Sequence, residues 1–105
     1  MTRQELIHRI KERLQALYGP RFRGLVLYGS VARGDHGPHS DLDLLCLLEG
    51  PVNMIAEISP IVEALSDLQR ENYQQIISVK AVDIEHFQRG AYPLVIEAAR
   101  EGVPV

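Results

Sequence analysis

Asp41 and Asp43 stand two residues apart at the head of an apolar run, Leu42 to Leu48. In an extended chain successive side chains alternate faces, so both carboxylates project from one side. Side-by-side carboxylates are hard oxygen ligands of the kind a divalent cation takes. Upstream, Leu25-Val-Leu-Tyr28 is a second apolar run, closed by Gly29-Ser30. Glycine lets a backbone approach a ligand closely, and serine adds a hydroxyl and an N–H, donors that phosphate oxygens accept. Ten residues separate Ser30 from Asp41, and Gly34, Gly37 and Pro38 make that stretch a loop. Two strands joined by such a loop place the small-residue turn beside the acids, a geometry suited to a magnesium–nucleotide complex.

Positioning these residues falls to the rest of the chain. Thr2-Arg-Gln-Glu5 reads as a capping box. Leu6, Ile7, Ile10, Leu14 and Leu17 then recur at helical spacing, until Gly19-Pro20 ends a helix over about 3–18. Residues 24–28, apolar on both faces, predict a central strand covered on each side. A short helical turn is expected over 30–34, with its free N–H groups beside Ser30. Residues 41–48 read as a buried strand with an acidic tip. Helical periodicity then runs over about 52–73, through Ile55, Ile58, Ile61, Val62, Leu65 and Leu68, with a kink or break expected at Pro60. A third strand is expected over 76–82, with Ile77, Val79 and Ala81 alternating against Ser78, Lys80 and Val82. Residues 83–89 read as a connector, 93–101 as a last helix, and 103–105 as a short edge strand, where proline is tolerated. The expected fold class is α+β: a small mixed sheet packed with helices as an α/β sandwich, in a single domain over residues 1–105.

Composition narrows the function classes. The chain has 105 residues, 46% hydrophobic and 24% charged, ordinary for a globular protein. No apolar run reaches the roughly 18 residues that span a membrane, and the first residues do not resemble a signal peptide, so a cytoplasmic location is expected. Net charge is −3, with the basic residues crowded into the first third. That balance argues against direct nucleic-acid binding, which calls for a basic domain. The basic third suits a solvated helix face, an anionic ligand or an acidic partner.

Gly29-Ser30, ten residues, then Asp41-x-Asp43 resembles the signature of the nucleotidyltransferase fold of the DNA polymerase beta superfamily. The longer string Gly29-Ser-Val-Ala-Arg-Gly34 and the compact size look most like the minimal nucleotidyltransferases of prokaryotes. The resemblance implies that Gly29 and Ser30 bind the triphosphate, and that Asp41 and Asp43 are the catalytic acids that hold Mg²⁺. It implies transfer of a nucleoside monophosphate, AMP from ATP being the expected case, to a hydroxyl of a partner. In this family the implied partner is a helical HEPN protein, silenced as the toxin of a toxin–antitoxin pair. The family carries a third carboxylate on the following strand, and that position falls here at Ser78. Asp83 lies five residues further on and points to the opposite face unless a bulge re-aims it. The resemblance therefore leaves two readings: an active transferase, or a nucleotidyltransferase-fold module that neutralises its partner by contact alone.

Other chemistry-bearing residues are less organised. Arg33 suits either the triphosphate or a loop-bracing pair with Asp35 or one of the two aspartates, since guanidinium forks serve phosphates and carboxylates alike. His36 and His39 read as surface-loop residues, because no further ligands complete a zinc set. Tyr28 is expected to pack beneath the loop. Cys46, alone and within an apolar run, reads as a buried, inert thiol.

Overall fold

The computed structural model describes residues 1–34, 37 and 41–105. His36 and His39, read as surface-loop residues, and the suggested Arg33 partner Asp35 lie outside the described residues. Helix α1 spans Arg3–Tyr18, and the Thr2 side chain accepts a hydrogen bond from the Glu5 amide at 3.1 Å. A 3₁₀ turn over Gly19–Arg21 follows and delivers the chain to strand β1, Phe22–Tyr28. Helix α2 is one short turn, Gly29–Arg33, and β2 runs Leu42–Leu48. Then come α3 (Ile58–Glu71), β3 (Ile77–Asp83), α4 (Ile84–Arg89), α5 (Pro93–Glu101) and β4 (Val103–Pro104).

The four strands form one mixed sheet in the order β3-β2-β1-β4. β1 is antiparallel to both β2 and β4, whereas β2 and β3 run parallel. Central β1 separates two cores, as its two apolar faces require. On one face Leu25, Leu42, Leu44, Cys46, Leu48 and Ala81 pack with Leu6, Ile10 and Leu14 of α1 and Ile61, Leu65 and Leu68 of α3. On the other, Val26, Leu45, Leu47 and Val82 pack with Val95 and Ala98 of α5. The result is the expected α/β sandwich around a small mixed sheet.

Several details differ from the sequence expectation, the larger ones for local reasons. Helix α3 begins at Ile58, not near 52, so Pro60 falls in its first turn, where a missing N–H costs no intrahelical bond. Its buried stripe is Ile61, Leu65 and Leu68, while Ile55, Ile58 and Val62 are exposed. Leu17 at the end of α1 is likewise exposed rather than part of the stripe. The connector after β3 is helical: Asp83 caps α4 by accepting from the Glu85 amide at 2.8 Å, and Gly90 closes that helix in the left-handed conformation.

Candidate active site

The acidic tip of β2 meets the turn that ends β1. Tyr28 pairs with Asp43 across the antiparallel ladder, so Gly29 begins α2 directly beside the Asp43 carboxylate. Gly29 has φ 77°, and a Cβ there would lie 2.5 Å from Asp43 Oδ2. Both the backbone conformation and the space therefore require glycine. Ser30 follows in the first turn of α2, half-buried, among amides with no partner inside the helix. Asp41 is exposed and precedes the first residue of β2, while Asp43 is half-buried.

Burial pushes the Asp43 carboxyl above the ordinary aspartate range, and the Asp41 charge adds to that rise. Lys80 and Arg33 oppose it. Ionised, the pair of acids is thus repelled and partly desolvated at once. A divalent cation relieves both costs, and the oxygen donors and the tight glycine turn fit one. Among the described residues no group of three or more His, Cys, Asp or Glu side chains converges on a common point.

Residue pairing along β3 identifies what faces these acids. Asp43 pairs with Ser78, and the parallel register continues unbroken to Leu48 and Asp83. No bulge re-aims Asp83. It is buried at the far end of the strand, about 17 Å of extended chain from Ser78, where its carboxylate is engaged in capping α4. Lys80 shares the Asp43 face, and its Nζ donates to Tyr28 Oη at 3.4 Å and to Ser78 Oγ at 3.5 Å. Arg33 donates to Glu101 of α5 at 3.0 Å. Lys80 and Glu101 did not stand out in the sequence as site neighbours. A lysine in phase with Ser78 inside an otherwise apolar strand was the available signal for the first. Only the docking of α5 beside α2 reveals the second.

Other residues fall away from this end. Cys46 is fully buried, and burial raises its thiol pKa to about 12, which leaves it an inert core thiol. His8 faces Glu12 on α1, and His86 packs edge-on against Tyr92.

The nucleotidyltransferase domain family matches residues 7–92, and the chain belongs to that family. A solved minimal nucleotidyltransferase is 30% identical, with a TM-score of 0.56, over 100% of this chain and 97% of that one. A toxin–antitoxin crystal structure with AMP-PNP shares the fold at 19% identity and TM-score 0.57, over 98% of this chain and 72% of that one. Spectinomycin adenyltransferase from Enterococcus faecialis, with ATP and spectinomycin, shares it at 17% identity and TM-score 0.65, over 99% of this chain and 56% of that one. The aminoglycoside nucleotidyltransferase (4′) of Staphylococcus aureus is 39% identical over 51 residues, 46% of this chain. The chain covers 20% of the length of that enzyme.

Proposed function

We propose that this protein transfers a nucleoside monophosphate, AMP from ATP, to a hydroxyl on a helical HEPN-type partner protein, and serves as the antitoxin of such a pair. The observation that carries the chemistry is the closure of the Gly29 turn onto Asp43. The turn lies directly against the Asp43 carboxylate, with Ser30 next in the chain, and this supports a phosphate held between small residues and acids. Membership of the family and the fold shared with a toxin–antitoxin structure support the reading. The 105 residues act in it as one domain.

In this mechanism Gly29 and Ser30 hold the triphosphate by backbone N–H groups and the Ser30 hydroxyl, and Arg33 balances its charge. Asp41 and Asp43 are the residues that would hold Mg²⁺, which supplies charge neutralisation at the triphosphate when bound. The acceptor oxygen attacks the α-phosphorus and forms the new P–O bond. The bond to the β-phosphate oxygen breaks, pyrophosphate leaves with its electron pair, and the acceptor proton passes to solvent. Positioning and charge placement supply most of the rate, since the protein forms no covalent bond of its own.

The test is incubation with ATP, Mg²⁺ and the partner, read by mass spectrometry of the partner. The expected result is an added AMP with the wild type and none with Asp41→Asn/Asp43→Asn. A second reading is favoured by Ser78 opposite Asp43: with no acid at that position to accept the proton, the fold neutralises its partner by contact. Neutralisation that survives unchanged in the double variant, with no AMP on the partner, selects that second reading.

A further inference from the structure

Lys80 lies two residues beyond Ser78 on β3, so its side chain leaves the sheet on the face of Ser78, Asp43 and Tyr28. It is half-buried and forms no ion pair among the described residues. Its partners are two neutral hydroxyls, at 3.4 Å and 3.5 Å, both at the long end of the hydrogen-bond range. Lys80 acts on the Asp43 carboxylate through space but makes no direct pair with it, and a half-buried ammonium held only by hydroxyls is poor design for stability alone. The hydroxyls hold the charge over the site without neutralising it, which leaves it available to an arriving anion. Ser78, not a third carboxylate, stands opposite Asp43, so the protein offers the oxygen ligands of one cation more readily than of two.

We propose that Lys80 contacts a non-bridging oxygen of the bound nucleoside triphosphate and takes the place of a second divalent cation, so that the site holds one metal ion per chain. A lysine is suited to this as a compact point charge on a long stem. Tyr28 and Ser78 act as positioning residues that steer the ammonium toward the triphosphate. The proposal rests on the nucleotidyltransferase reading above.

The experiment titrates the purified chain with Mn²⁺ and a non-hydrolysable ATP analogue, following bound Mn²⁺ by electron paramagnetic resonance and nucleotide by calorimetry. One Mn²⁺ per chain–nucleotide complex is expected, and two would overturn the proposal. Lys80→Met should weaken analogue binding about tenfold to a hundredfold, the worth of one charge-assisted contact, while Lys80→Arg recovers most of it. Binding by Lys80→Met within about twofold of wild type also overturns it. Ser78→Asp/Lys80→Val, which trades the cation for a carboxylate, should raise the count to two Mn²⁺; a count that stays at one counts against the exchange. If the wild type takes up no analogue with Mn²⁺, the nucleotidyltransferase reading falls and this proposal with it. Analogue bound with two metal ions removes only the proposal.

Discussion

At Gly29 a single missing Cβ sets the site. The sequence suggested glycine as a close approach to phosphate; the fold adds that this residue must also clear the Asp43 carboxylate. Gly29→Ala therefore meets both an unfavourable φ and a clash, and should cost on the order of 1–3 kcal/mol of stability. A thermal melt would check this, with nucleotide binding falling further than stability because Asp43 is displaced. Asp43 itself is held at a cost. Its folded pKa is raised, so the native chain binds more protons than the unfolded chain between the unfolded and the folded pKa. Stability contributed by that group is present at low pH and is lost as pH rises through the raised value. Asp43→Asn should accordingly raise the melting midpoint at neutral pH, narrow that gain toward acid pH, and weaken cation binding. A midpoint at pH 7 lower than wild type would contradict the assignment of Asp43 as a strained ligand.

Elements were legible where one physical signal dominated. The 16-residue helix α1 has a cap, a stripe and a Gly-Pro stop, and its bounds follow from them. β2 is apolar on both faces except at its tip, and its buried residues follow just as directly. Ser78 was singled out by the family resemblance, and the register sets it opposite Asp43. Helix α4 was missed because its six residues carry no apolar stripe, and Asp83, which caps it, was weighed only as a substitute for the third carboxylate. The early start predicted for α3 came from Ile55, whose apolar character serves no core. Docking between elements was not legible at all. Arg13 of α1 clasps Asp67 of α3 through two hydrogen bonds of 2.7 and 2.8 Å, and also donates to the Ala64 carbonyl at 3.0 Å. Neither residue belongs to a periodic pattern that names its partner. The clasp holds Asp67 down to about 2. A depressed carboxylate stabilises the fold above its unfolded pKa and loses that contribution as pH falls through the folded one. Asp67→Asn should therefore melt lower than wild type at pH 7, with the difference closing between about pH 4 and pH 2. The loss should be well below that of Leu44→Ala, which empties a fully buried site and costs about 2–5 kcal/mol. Exposed pairs are screened by solvent, whereas a core vacancy is not.

Across the whole molecule the two faces of the sheet divide the labour. α1 and α3 cover one face, and α5 covers the far end of the other through Val95 and Ala98. Asp43, Ser78 and Lys80 lie beyond that cover, at the end where, under the proposed function, a nucleotide and an acceptor both arrive. The chain shares its fold with 56% of the spectinomycin enzyme, and 51 of its residues match 20% of the length of the aminoglycoside enzymes. It covers 97% of the minimal nucleotidyltransferase and 72% of the toxin–antitoxin chain. Under the proposed function, the acceptor surface is supplied by the partner protein. Pyrophosphate release from ATP and Mg²⁺ should then stay at background with this chain alone. It should remain there with spectinomycin or an aminoglycoside and rise on addition of the helical partner, to no more than the number of acceptor hydroxyls modified. A continuous pyrophosphate assay across those mixtures checks it. Sustained turnover with an antibiotic would reassign the acceptor to a small molecule. Release without any acceptor would mean that water reaches the α-phosphorus, and that this end of the sheet is more open to hydrolysis than a transferase can tolerate.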